Sequence, residues 1–104
     1  YSFTDSQTKE IMKEVYEKFG YILDPHGAVG YLGWLEYQKE NPDSTGVILE
    51  TAHPAKFIDS VEQVLGRKIE VPEALERLRN KQKVADFIQP DYEVFKTLLL
   101  SKRR

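Results

Sequence analysis

Between residues 9 and 19 apolar side chains return at helical spacing (Ile11, Met12, Val15, Tyr16, Phe19), while Lys9, Glu10, Lys13, Glu14, Glu17 and Lys18 fill the opposite face. That periodicity predicts a helix over about 5–19, capped by Thr4 or Asp5 and ended by Gly20 in the left-handed conformation. A short extended apolar segment, Tyr21-Ile22-Leu23, leads to Asp24 and Pro25, a good N-cap and a good first helical residue. A second helix is therefore predicted from there to about residue 39. Its pattern differs from the first: Tyr31, Leu32, Trp34, Leu35 and Tyr37 make it apolar nearly all round, which implies burial on more than one side. Gly27, Gly30 and Gly33 repeat every third residue within it. Three helix-interior glycines cost roughly 2–3 kcal/mol relative to alanine, so either another backbone or a ligand is expected close against that face.

Residues 41–46 form a loop by composition. The run Val47-Ile48-Leu49 that follows, rich in β-branched residues, predicts a strand covered on both faces and stopping at Thr51. Pro54 opens a third helix to about residue 65, with Phe57, Ile58, Val61, Val64 and Leu65 as its stripe and Gly66 as its end. A strand feeding a helix through a tight turn is half of a βαβ unit, and ligands sit at the carboxyl ends of such strands. Residues 51–56 are thus the first place to look for chemistry. Residues 67–71 suit a short strand or an extended link. A short helix is expected over 72–80 with Ala74, Leu75 and Leu78 inward, then an irregular crossing over 80–90 anchored by Val84, Phe87 and Ile88. A last helix follows over 91–101. The sum is a helix-rich α/β piece of about five helices and one or two short strands. It supplies too few ladder partners for a buried strand, so it fits the end of a larger α/β domain.

Composition narrows the function classes. The 104 residues are 40% hydrophobic and 31% charged, ordinary for a globular chain and unlike disorder. The formal net charge of −2 and pI of 5.7 give no electrostatic case for nucleic acid or an anionic membrane surface. The basic end, Lys102-Arg103-Arg104, is expected to be favourable charge at a helix C-terminus and not a nucleic-acid contact. Cys is absent, which excludes disulfides, thiolate metal sites and a cysteine nucleophile. No apolar run approaches the roughly 20 residues that span a bilayer. The chain starts at Tyr1, not Met, so it is expected to be processed or a piece of something longer.

Two segments carry a resemblance: Leu23-Asp24-Pro25-His26-Gly27-Ala28-Val29-Gly30 and Glu50-Thr51-Ala52-His53-Pro54-Ala55-Lys56-Phe57. In their order and separation, and with the Gly20-Tyr21-Ile22-Leu23 lead-in, they resemble the C-terminal part of the threonine synthase family. The resemblance runs from about residue 4 to about residue 100 and is loose after Gly66. Position 27 is Gly where many members carry Thr or Ser. The resemblance implies a fold-type-II pyridoxal 5'-phosphate enzyme, a cytoplasmic lyase of threonine biosynthesis. Such an enzyme converts O-phosphohomoserine and water to threonine and phosphate by γ-elimination and β-addition. It also implies that the chain is one C-terminal segment over residues 1–104. The cofactor-binding lysine and the phosphate loop would lie earlier, because none of the ten lysines here sits in a matching setting. On that basis the chain alone is expected to be inactive. Its partner would be the remainder of the enzyme, with self-association expected of the isolated piece.

By the same resemblance Thr51 would set its hydroxyl against the pyridine nitrogen of the cofactor; the plainer alternative is that it caps the following helix. Asp24, His26, Gly27, Ala52, His53 and Lys56 are the other candidates for the wall of the site. His26 and His53, the two histidines, lack a third ligand in a metal-binding pattern, so no metal is expected. Either could move a proton near neutral pH or fix a turn by a hydrogen bond. Lys56 lies in a first helical turn, where its charge opposes the dipole, which would suit a nearby anionic substrate group. The competing function is a small free-standing interaction module that binds a partner through the glycine face of the second helix.

Overall fold

Thr4 starts the first helix with a reciprocal cap: its Oγ1 accepts the Gln7 backbone N–H at 3.3 Å and the Gln7 side chain accepts the Thr4 N–H at 2.9 Å. The computed structural model describes residues 1–102. Helix α1 spans Asp5–Phe19 and ends where Gly20 turns left-handed at φ 69°. Helix α2 spans Pro25–Glu40 behind the Asp24 cap. A 3-10 turn, Pro54–Phe57, then leads into α3, Ile58–Leu65, which stops at Gly66 with φ 64°. The helix expected from Pro54 is therefore broken at Phe57, whose φ of −120° and ψ of 34° are not helical. Helix α4 is one turn, Glu73–Glu76, and α5 is Tyr92–Ser101, capped by Asp91 on the Val94 N–H at 3.0 Å.

The core lies where α1 packs on α2 and α3. Ile11, Met12 and Val15 from α1, Leu23 from the linker, Ala28 from α2 and Val61 from α3 are buried together. Ile22, Tyr31, Leu32, Leu35, Phe57, Val64, Leu65 and Ile69 pack half-buried around them. The α1 periodicity thus placed Ile11, Met12 and Val15 in the core, although Phe19 at the end of the same stripe is 59% exposed, and α3 keeps the stripe centred on Val61.

Neither expected strand forms among the described residues. Residues 46–50 are extended but have no ladder partner, and the outer face is bare, with Val47 86% and Leu49 79% exposed. Residues 67–71 carry a bend at Arg67 and no regular secondary structure after it. A strand needs an edge to bond to, and this chain brings none. The predicted 72–80 helix shortens to α4 because only Leu75 finds partial cover, while Ala74 and Leu78 stay exposed. Of the expected anchors, Val84 and Phe87 are bare to solvent and Ile88 is 41% exposed, so none of the three is buried among the described residues. The radius of gyration is 18.6 Å, against about 13 Å for a compact domain of this length. No helix among the described residues is long and apolar enough to cross a membrane.

Candidate functional site

What the 46–50 segment lacks in strand partners it finds on α2. A Cβ at Gly27 would overlap the Glu50 carboxyl, one at Gly30 would sit 3.3 Å from Ile48 Cγ2, and one at Gly46 would sit 2.5 Å from the Trp34 ring. The extended segment therefore runs antiparallel along the helix, in the order 50 over 27, 48 over 30, 46 over 34. Two extended residues advance about 6.6 Å and three to four helical residues about 4.5–6 Å, so every second residue of the segment meets the next turn of α2. Alternation then turns Ile48 toward the helix and Val47 and Leu49 away from it, while Glu50, exposed as a residue, lays the end of its side chain over Gly27. At Gly27 and Gly30 the close approach is made by the Glu50 and Ile48 side chains and not by the backbone or ligand expected there. Gly33 has only Tyr1 near, at 4.0 Å.

At the head of α2 the two sequence motifs meet. Asp24 is fully buried. Its Oδ1 accepts the His26 backbone N–H and faces His26 Nδ1, both at 2.9 Å. Its Oδ2 is buried and has no hydrogen-bond partner among the described residues. Burial works to raise the Asp24 pKa, but the hydrogen bonds from the His26 backbone and ring, with the Glu50 carboxyl and the Gly27 backbone close by, outweigh it and hold the group below its ordinary value. Glu50 moves the other way, pushed up to about 7 by desolvation and then by the Asp24 carboxyl beside it. The His26 ring rests on Phe57, centroids 5.0 Å apart, which ties the second motif to the first.

The remaining candidates are placed differently. His53 caps the 3-10 turn, its Nδ1 accepting the Ala55 N–H at 3.1 Å. It lines a hollow with Tyr21, Ile69 and Glu70 in which His26 takes no part. Among the described residues no cluster of three potential metal ligands exists. Ala52 is half-buried and Lys56 is exposed. Thr51 is exposed, and its hydroxyl makes no hydrogen bond among the described residues. It does not cap the turn that follows it, because His53 does.

Glu50 and Phe57 are the residues the motif reading left without a role. A signal was there: Glu50 is in phase with Ile48 on the inward side of an extended run, opposite a helix carrying glycine at the matching turn. A hollow of about 380 Å³ opens beside it, lined by Val15, Phe19, Tyr21, Leu23, Tyr31 and Ile48, with Glu50 as its one acidic group.

The family described as "Threonine synthase, C-terminal" matches residues 27–99. Threonine synthase of Buchnera aphidicola subsp. Schizaphis graminum is 37% identical over 101 residues, covering 97% of this chain and 23% of the relative. That of Escherichia coli K12 is 33% identical over 97 residues, covering 93% and 22%. The crystal structure of threonine synthase from Escherichia coli superposes with a TM-score of 0.80 at 32% identity over 95% of this chain and 22% of that one. The chain thus spans less than a quarter of the relatives it matches.

Proposed function

The chain belongs to the threonine synthase family, and we propose that it is the C-terminal part of such an enzyme, forming one wall of a pyridoxal 5'-phosphate site that the rest of the enzyme completes. The observation that carries this reading is the unengaged Thr51 hydroxyl at the carboxyl end of residues 46–50. His53 has taken over the capping that would otherwise explain it. A neutral hydroxyl is the fitting partner for a pyridine nitrogen in elimination and replacement chemistry. It hydrogen-bonds without donating a full charge, where a carboxylate would hold the nitrogen protonated. When bound, pyridoxal phosphate supplies the electron-withdrawing ring on which conversion of O-phosphohomoserine to threonine and phosphate depends.

This chain's own residues then set the hydroxyl. Residues 46–50 lie along α2, Glu50 stands at Asp24, and His26 on Phe57 fixes the turn beyond. Lys56, exposed one turn on, offers a cation to an anionic substrate group. Thr51→Val in the intact enzyme is expected to lower turnover by one to two orders of magnitude with helix content unchanged, while Thr51→Ser stays close to the parent. Normal turnover in the Val variant would remove the assignment.

The rest of the same enzyme is the partner this reading requires. The chain exposes 8751 Å², whereas a compact monomer of its mass exposes about 6,000 Å², and the excess is rich in Val47, Leu49, Val84 and Phe87. A free-standing module working through the glycine face of α2 loses its surface, since Glu50 and Ile48 already lie on Gly27 and Gly30.

A further inference from the structure

Asp24 Oδ2 poses a problem of hydrogen bonding. A buried carboxylate oxygen without a donor is costly, and Oδ1 has already taken both bonds that His26 offers. The group beside it is Glu50, whose carboxyl lies in the space a Gly27 side chain would fill. Two carboxylates cannot both stay charged at that range, but an acid and a carboxylate can share one proton.

We propose that Glu50 keeps its carboxyl proton and donates it to Asp24 Oδ2, and that this acid–carboxylate bond latches residues 46–51 onto α2. Glu50 is then a positioning residue: it holds the last turn of chain before Thr51 to the fully buried cap of a helix. Its bearing on turnover rests on the reading of Thr51 above, but the latch itself does not. The surroundings favour the shared proton. From α1, Val15 and Phe19 face the hollow beside Glu50, from the linker Tyr21 and Leu23, and from α2 Tyr31. None of these brings a positive charge. Lys9 and Asp5 of α1 stand by Pro25 instead, in a different hollow. His26 engages the other oxygen of Asp24.

The consequence is a definite pH sign. Glu50 binds its proton more tightly when latched, with its pKa raised to about 7, so the latch is fully made below the ordinary glutamate value. It weakens as pH rises from there through about 7. The depressed Asp24 acts oppositely, its contribution present above the ordinary aspartate value and lost as pH falls below it.

The test uses this chain's single tryptophan, Trp34, which packs against Gly46 at the far end of the latched segment. Trp34 emission is followed from pH 5 to 9, with the Glu50 carboxyl observed directly by carbon-13 NMR. In the parent chain Glu50 is expected to titrate well above the ordinary carboxylate range, and Trp34 emission to move with it. Glu50→Gln donates an amide N–H to Asp24 and should keep the segment seated, with flat emission across the range. Asp24→Asn should return Glu50 to the ordinary glutamate range. A Glu50 titration in that ordinary range in the parent would overturn the proposal. So would a Trp34 transition surviving Glu50→Gln, since a histidine would then be its source. No cofactor or turnover enters these measurements, so their failure leaves the Thr51 assignment standing, and a failure of Thr51→Val leaves the latch.

Discussion

Two regions of this chain meet water in opposite ways. In residues 4–66 the helices are capped at the start of α1 and α2 and closed by glycine at the ends of α1 and α3. Their apolar stripes meet in one core. In residues 67–102, Val84 is 95% and Phe87 100% exposed, and α5 shows Phe95, Leu99 and Leu100 to solvent. Neither α4 nor α5 packs on another helix as α1 does on α2. Both regions carry caps and amphipathic runs, so local signals do not separate them. What separates them is whether the apolar face finds a partner in the same chain. The first region buries its apolar faces against itself and the second leaves them exposed, and the outer face of residues 46–50 belongs with the second.

Substitutions matched across the divide should expose this difference most strongly. Met12→Ala in the core should cost about 2–5 kcal/mol, whereas Phe87→Ser, at a fully exposed site, should change the stability of this chain by less than about 0.5 kcal/mol. Urea titration followed by circular dichroism reads both. In the intact enzyme Phe87→Ser should become destabilising; equal indifference there would break the account of the open region. Next in size, Asp24→Ala removes the α2 cap and should cost about 0.5–2 kcal/mol in the same titration. Apolar surface of this extent should also bind a hydrophobic dye and drive concentration-dependent association. Equilibrium sedimentation showing a monomer at all concentrations would contradict that. Smallest in stability is Gly27→Ala. Helix propensity favours it by about 0.8–1 kcal/mol, and the atom it meets is the end of a flexible Glu50 side chain. Stability should hold or rise slightly while Trp34 emission changes as the segment lifts.

Much of the closed region was legible in the sequence because its determinants are local. The 3.6-residue return of Ile11, Met12 and Val15, the Thr4 and Asp24 caps, and the glycines at 20 and 66 need no distant partner to act. The extended run at 47–49 was legible as a conformation but not as a strand, since pairing depends on an edge that this chain does not bring. Helix α4 shrank for the same reason, its Ala74 and Leu78 having nothing to face. At the candidate site the meeting of the two motifs followed from their family likeness, while the Glu50–Asp24 pair did not. A carboxyl placed over a glycine is visible only once segment and helix are in register. The turn-fixing hydrogen bond of His53 was legible, and its Nδ1 makes it on the Ala55 N–H, whereas the choice of His53 over Thr51 as cap was not, because a histidine ring is a less common cap than a hydroxyl.

If residues 4–66 hold their own fold while the open region is covered by the rest of an enzyme, the two should differ in backbone protection. Amide hydrogen exchange tests it most directly, measured on the chain alone and on the intact enzyme. Residues of α1, α2 and α3 should be protected in both. Residues 47–50 and 84–101 should exchange fast in the chain and slowly in the enzyme. Equal exchange of 84–101 in the two, whether fast or slow, would contradict the account.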